Sequence, residues 1–262
     1  MKGFNAALYV EFVKALKSKM FWITLIFFVF LAIMLGFLML VARHPEIAGN
    51  SAVLTTKASF ISKADWRSFF SLLMQMVLTL GMLGPAIVTI WVFGREYSDR
   101  VIKDLLVLPV ARFKIVVAKF IIVFLWSILL LVLLLAFALL SGIAIHLAGW
   151  NRELVSHNVQ IYLVSSLLTI LLFPVITFIT CISRGYLLPI GFAILLLIST
   201  QFVFLGIPSV TPYFPWAIPG LYSGAAGPFS PKPAAISYVI LVLTSLIGFF
   251  STAAWWRYAD QH

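Results

Sequence analysis

Six long apolar runs are the feature that most constrains the fold of this chain. An α-helix needs roughly 20 apolar residues, rising about 1.5 Å each, to cross a hydrocarbon layer of about 30 Å. Runs of that length cover residues 20–42, 68–94, 120–148, 159–182, 187–206 and 234–256. The sequence therefore predicts an all-α, polytopic membrane protein with six transmembrane helices, in a single transmembrane domain over residues 1–262.

The composition supports lipid as the main solvent of these runs. Of the 262 residues, 63% are hydrophobic and 10% are charged, whereas a soluble domain carries about 25% charged residues. The net charge is +10, and basic proteins often bind nucleic acid. Here the charges lie at the ends of apolar runs, where membrane topology explains them, so nucleic acid is not an expected partner. The one cysteine, Cys181, lies in an apolar run, which predicts neither a disulfide framework nor a metal cluster.

Lys and Arg are distributed unequally between the two sides of the predicted membrane. One side holds twelve of them, in the N-terminal segment, the 95–119 loop, Arg184 and Arg257, and the other side holds six. Because the side richer in Lys and Arg faces the cytoplasm, both termini and the 95–119 loop are predicted to be cytoplasmic. The 43–67 loop carries four of the other six, which weakens this bias without reversing it.

The N-terminal residues 1–19 carry apolar side chains every four positions, at Phe4, Leu8, Phe12 and Leu16. This spacing predicts an amphipathic helix lying in the cytoplasmic interface, with its lysines toward the lipid headgroups. A cytoplasmic extension of the first span is the alternative interpretation.

The segment 207–233 on the outer side contains seven of the twelve prolines together with five aromatic residues. Proline blocks regular helix, and Trp and Tyr prefer the boundary between membrane and water. The pattern predicts a short broken or re-entrant segment at the outer mouth. An aromatic belt with no further role fits about equally well.

The apolar runs contain no Asp, Glu, Lys or Arg. Intramembrane ionisable residues mark proton relays and ion sites, so their absence argues against a proton- or ion-coupled carrier. Most polar residues in the runs are expected to join helices. The candidates for lining a pathway are Gln75, Thr79, Thr169 and Gln201. Pro85 and Pro174 lie inside runs, where each is expected to kink a helix, either as a hinge or as an ordinary kink.

The 95–119 loop is the most charged part of the chain, with nine charged residues. Ser98 or Asp99 can cap a helix beginning near Arg100, and Pro109 ends it because the residue before a proline avoids the α region. The apolar face of this helix is formed by Val101, Ile102, Leu105, Leu106 and Leu108. A basic helix then continues into the third run. A protein partner of mixed charge explains both faces better than an anionic lipid surface does.

The stretch FGREYSDRVIKDLLVLPVARFKIVVAKF, residues 93–120, closely resembles the loop between the second and third spans of the ABC type-2 transporter permease family. The positions that match the family pattern are Glu96, Lys103, Asp104, Leu105, Leu106, Pro109, Val110, Arg112 and Lys119. Many members carry Gly-Thr or Arg-Thr before this core, where the present chain has Asp99, Arg100 and Val101, which indicates a subfamily. The six-span layout, the N-terminal helix and the segment before the last span fit the same family.

This resemblance implies that the 95–119 loop contains a coupling helix that docks on a separate ATPase. The expected contact residues are Arg95, Glu96, Tyr97, Asp99, Arg100, Val101, Ile102, Lys103, Asp104, Leu105, Leu106, Pro109 and Arg112. A second contact is expected from the short loop formed by Ser183, Arg184, Gly185 and Tyr186.

The resemblance also implies a function, namely the membrane subunit of an ATP-driven exporter of peptide antibiotics, drugs or other amphipathic substrates in a bacterial plasma membrane. The sequence has no phosphate-binding loop, so the chain is not expected to be an enzyme or to hold a cofactor. ATP and Mg are expected on two copies of a partner ATPase, beside a second permease chain that is identical or homologous. The alternative is a non-transporting scaffold or sensor that recruits a cytoplasmic partner through the same loop.

Overall fold

The structure of the chain, a computed structural model, describes residues 2–48, 63–99, 111–227 and 230–258. In these ranges the α-helices are α1 (Lys2–Leu16), α2 (Lys19–Arg43), α3 (Trp66–Ser98), α4 (Arg112–Ala144), α5 (Arg152–Ile170), α6 (Phe173–Ser183), α7 (Leu187–Gly206), α8 (Ile218–Ser223) and α9 (Ala235–Tyr258). Short 3-10 turns cover Pro45–Ala48, Thr211–Tyr213 and Pro215–Ala217.

Six helical segments within the described residues are long and apolar enough to cross a membrane. They are α2, α3, α4, α5 together with α6, α7 and α9, which confirms the six predicted spans and the all-α class. The chain is a multi-pass membrane protein. Two helices exceed their apolar runs, since α3 continues to Ser98 and α4 begins at Arg112. The predicted 95–119 loop is therefore helical at both ends. A helix can extend past its apolar run where its charged side chains form ion pairs or hydrogen bonds.

The centre of the bundle is formed by α3 and α4. In the most apolar window of α3, 61% of the residues are buried, against 22% in both α7 and α9. α4 packs against α1, α2 and α3, while α9 lies mainly along α6. Polar side chains join neighbouring helices, as where the Tyr162 hydroxyl of α5 donates to the Leu131 carbonyl of α4 at 2.7 Å. α7 and α9 are thus the peripheral helices.

The fourth span consists of two helices. α5 ends at Ile170 and α6 begins at Phe173 after a two-residue turn. Pro174 explains this break, because it has no N–H to donate to the Ile170 carbonyl and its ring clashes with that carbonyl. The sequence predicted a kink at this proline, and the structure shows an interruption. Pro85, in contrast, lies inside an unbroken α3, and a hinge role at either proline stays a prediction.

The described part of the 207–233 segment forms short turns and the short helix α8, in agreement with its prolines. Ile218 of α8 is fully buried and shares an apolar cluster with Leu168 and Leu172 of the fourth span, next to the break. This packing along α5 favours a re-entrant segment over a belt at the surface. The depth of the segment in a membrane stays a prediction.

The N-terminal helix α1 forms over the residues whose spacing predicted it, and its two faces differ. Phe12 and Leu16 of the apolar stripe are exposed, whereas Glu11 and Ala15 are buried against the bundle. The expectation that the lysines of this helix face headgroups is corrected for Lys14, whose ammonium is 3.2 Å from a Glu11 carboxylate oxygen. An exposed apolar stripe suits a helix in the membrane interface, a location that stays a prediction.

Candidate functional site

Charged side chains from three helices gather where α1 meets the last turn of α3 and the first three turns of α4. They are Glu11, Lys14, Arg95, Glu96 and Lys119, here called the ion cluster. α1 and α3 contribute two residues each and α4 contributes one. The ion cluster therefore joins the N-terminal helix to both sides of the 95–119 loop.

Lys119 lies at the centre of the ion cluster, with 0% of its side chain exposed. Its ammonium nitrogen is 2.7 Å from Glu96 Oε1 and 2.9 Å from Glu11 Oε2. It also donates to the Val92 carbonyl at 3.3 Å. A lysine ammonium has three donors, so each has an acceptor, and this is the condition under which a protein interior tolerates a charge.

The two carboxylates of the ion cluster are buried, with Glu11 3% and Glu96 1% exposed. Arg95 Nη2 lies 3.2 Å from Glu11 Oε2, and its guanidinium sits 4.6 Å from the centre of the Trp91 ring, close enough for a cation–π contact. Lys14 Nζ lies 3.4 Å from Glu96 Oε1 and keeps about a third of its side chain exposed. The ion cluster is thus fully enclosed at Lys119 and reaches solvent at Lys14.

The chemistry of this arrangement is that of a clasp between helices. Removing one partner of a buried ion pair leaves an uncompensated charge and costs about 3–5 kcal/mol, so the helix ends that meet here resist separation. Among the described residues, no three His, Cys, Asp or Glu side chains come together as a metal site.

The end of α3 carries the described members of the predicted partner contact. Asp99 is exposed and caps the helix through its N–H, which donates to the Arg95 carbonyl at 2.8 Å. Tyr97 is half-buried against the core, and Arg95 is mostly buried in the ion cluster. Glu96, at 1% exposed, lies inside the chain and not on a surface that a partner can reach.

The predicted coupling helix itself falls in residues 100–110, which lie outside the described residues. This range holds Arg100, Val101, Ile102, Lys103, Asp104, Leu105, Leu106 and Pro109. Beyond it, Arg112 is turned toward α9, where its Nη1 donates to the carbonyls of Trp256 and Arg257 at 3.3 and 3.2 Å. A cation at this position is favoured by the dipole of α9. The coupling helix and its contacts stay a prediction.

The loop 183–186, the second predicted contact, lies beside the end of α3. Arg184 takes the left-handed conformation, with φ of 50°, that ends α6. The half-buried ring of Tyr186 then packs against Gly94 of α3. Burial raises the pKa of the Tyr186 phenol above its ordinary value. The structure therefore brings the two predicted contact regions side by side.

The Gly94→Ala variant tests this contact between the two regions. A Cβ atom at position 94 would lie 2.8 Å from the Tyr186 ring, so we expect the free energy of unfolding to fall by about 1–3 kcal/mol. Tyr186→Ala removes the ring, and the double variant should be more stable than the sum of the two single effects predicts. Thermal unfolding of the purified proteins in detergent measures this, and strict additivity would contradict the contact.

Two of the four pathway candidates share one groove. Gln75 and Thr79 line a groove of about 440 Å³ between α2 and α3, together with apolar residues of both helices. Thr169 is buried, and its hydroxyl donates to the Ser165 carbonyl of its own helix at 2.9 Å. Gln201 lies apart from both, on the peripheral α7. Only the first pair is placed together by the structure.

Sequence reasoning did not identify Glu11 and Lys14 as partners of the loop. Glu11 is the only acidic residue before Glu46, and an acid within a basic amphipathic helix is a usable signal. The apolar stripe favoured a lipid-facing helix, so Glu11 was not expected to pair with residues of the loop. Lys119 was expected only at the mouth of the third span, and its full burial could not be foreseen without the neighbouring helices.

Comparisons with known proteins agree with the observed architecture. The family described as "ABC-2 family transporter protein" matches residues 7–200, a stretch that includes the whole ion cluster and both predicted contact regions. The protein named "Bacitracin transport permease protein BCRB" from Bacillus licheniformis is 24% identical over 190 residues, which cover 72% of this chain and 89% of that protein. No solved structure matches the chain.

Proposed function

Since this chain belongs to the ABC-2 transporter family, as a membrane-spanning permease subunit, we propose that it exports substrate under the drive of a separate ATPase docked on its 95–119 loop. ABC-2 permeases typically work with ATPase subunits. The proposal assigns two ATPase copies, with their ATP and Mg, to the side of the membrane where the termini lie. The excess of Lys and Arg on that side supports a cytoplasmic location.

The observation that carries this proposal is the ion cluster. Lys119 holds the end of α3 and the start of α4 together through Glu96, and both to α1 through Glu11. Because the two helix ends are joined, a force applied to the residues between them moves the two central spanning helices together. The short predicted helix that ends at Pro109 can therefore act as a lever on α3 and α4.

A second permease chain, identical or homologous, completes the proposed transporter. The groove that contains Gln75 and Thr79 lies on the outside of the bundle between α2 and α3, so a second copy facing it would enclose a partly polar path. The proposed substrates are peptide antibiotics, drugs or similar amphipathic molecules. The name of the Bacillus licheniformis relative, a bacitracin transport permease, supports this class.

The Leu105→Asp variant tests the coupling role. Leu105 belongs to the predicted apolar face of the coupling helix, and burial of a leucine contributes about 1.5–3 kcal/mol. We therefore expect the partner ATPase to bind more than about tenfold more weakly. Co-purification and ATPase activity in lipid vesicles, with and without substrate, measure the loss.

Ile47→Asp is the matched control, because Ile47 is an exposed apolar residue at the opposite end of the bundle. It should leave ATPase binding, hydrolysis and export as in the wild type. Normal export by Leu105→Asp would refute the coupling assignment. If the wild-type chain binds the ATPase but moves no substrate in vesicles, the scaffold or sensor alternative replaces the exporter.

A further inference from the structure

Two recesses, together called the crevice here, open between α4 and α9 from the end of the bundle that holds the ion cluster. Its mouth is a recess of about 650 Å³, whose lining includes Arg112, Phe113 and Arg257. Deeper along the same two helices is a recess of about 310 Å³ at the break of the fourth span, whose lining includes Pro174 and Ser245. The two recesses lie one behind the other along the same helix pair.

Phenylalanine rings connect the two recesses. The Phe249 ring of α9 is 6.2 Å from the Phe113 ring and 5.0 Å from the Phe120 ring of α4, measured between centroids. Phe113 and Phe250 are more than half exposed beside it. The crevice therefore has apolar walls along its length and a cationic mouth.

The length of the crevice corresponds to one leaflet of a bilayer. Arg257 and Ser245 are twelve residues apart on α9, which at about 1.5 Å per residue is roughly 18 Å. Half of a hydrocarbon core of about 30 Å is about 15 Å. A molecule whose charged group sits at Arg257 can thus extend an acyl chain to the break at Pro174.

The charge of the mouth selects an anion. Arg112 uses Nη1 to bind the carbonyls at the end of α9, which leaves the other nitrogens of its guanidinium to donate elsewhere. Among the described residues, the lining of the mouth includes Arg112 and Arg257 and no carboxylate. Guanidinium groups bind phosphate through paired hydrogen bonds, and basic pockets between spanning helices suit anionic headgroups.

We propose that this crevice binds one anionic phospholipid, with its phosphate on Arg112 and Arg257 and an acyl chain along Phe113, Phe249 and Phe120. A soluble phosphate would satisfy the arginines but would leave the apolar walls uncovered. A lipid without net charge would cover the walls but would gain less at the mouth. The mouth shares Arg112 with the predicted ATPase contact, but the lipid proposal does not rest on that contact, because it is tested on the permease chain alone.

Native mass spectrometry of the full-length chain tests the proposal. The protein is stripped of lipid in detergent and offered equal amounts of phosphatidylglycerol and phosphatidylcholine. Wild type should retain one phosphatidylglycerol in preference to phosphatidylcholine. Arg257→Gln should bind it about fivefold more weakly, because one basic residue near an anionic headgroup contributes that factor. Ser245→Phe, which fills the deep recess, should also lower retention.

Arg152→Gln is the control, since it removes an exposed arginine at the opposite end of the bundle, and it should retain phosphatidylglycerol like wild type. Equal retention by Arg257→Gln and Arg152→Gln would overturn the proposal, as would equal retention of the two lipids by wild type. Displacement of the lipid by inorganic phosphate would overturn it in favour of a free-anion site.

Discussion

Replacing Lys119 by methionine is expected to lower the free energy of unfolding by about 3–5 kcal/mol. The methionine side chain has a similar volume but no charge, so Glu11 and Glu96 would lose the fully buried cation that lies 2.9 and 2.7 Å from them. They would keep only the longer contacts with Lys14 and Arg95, at 3.2 to 3.4 Å. The Val92 carbonyl would lose its contact with the ammonium as well. Unfolding of the purified protein, followed by tryptophan fluorescence, measures the loss.

Lys114→Met is the matched control on the same helix. Lys114 is exposed, and an exposed charge contributes about 0–1 kcal/mol. A variant that changes Lys119 to Met together with Glu96 to Gln should recover much of the lost stability, because it removes both members of one buried pair while Glu11 keeps its contacts with Arg95 and Lys14. If Lys119→Met and Lys114→Met unfold alike, the ion cluster is not the clasp described above.

Gly248→Ala is the second change with a large expected effect, a loss of about 3 kcal/mol. A Cβ atom at position 248 would lie 2.5 Å from the Val175 nitrogen and 2.6 Å from the Pro174 carbonyl carbon. Those are backbone atoms at the break of the fourth span, and they cannot rotate out of the way as a side chain can. α9 would have to move away from α6, which is its main packing partner.

Gly191→Ala provides the comparison, since Gly191 is also helical but a Cβ atom added there would meet no other atom within 4 Å. Alanine is favoured over glycine in a helix by about 1 kcal/mol, so this variant should be as stable as wild type or slightly more stable. The same thermal unfolding series serves for both glycines. Equal stability of the two alanine variants would contradict close packing at Gly248.

Local signals in the sequence predicted the candidate site only in part. The resemblance over residues 93–120 identified Glu96 and Lys119 as positions of interest, and it assigned Glu96 to a surface contact. The structure places both in the interior, 2.7 Å apart. Their burial depends on α1, which is more than 80 residues distant along the chain, and no periodicity or motif reports a contact across that separation.

At the break in the fourth span, too, one part of the structure was predictable from the sequence and another part was not. Pro174 made a disturbance predictable, because the loss of its N–H is a property of the residue itself. That Gly248 of α9 packs on the residues of the break, and that Ile218 of α8 shares a cluster with Leu172, depends on how the helices pack. Neither neighbour carries a signal of its own in the sequence.

The sequence by itself determined that the apolar runs lie in lipid, and it also determined the number of spans, the all-α class and the family. These follow from run length, hydropathy and the motif over residues 93–120, since a bilayer accepts only segments that satisfy their own backbone hydrogen bonds. The tertiary structure alone decided which charges are buried together, where α3 and α4 are joined, and where a crevice opens between α4 and α9. The physical reason is that burial and ion pairing arise between side chains that are distant in the chain, and their free energy is set by geometry that only packing supplies.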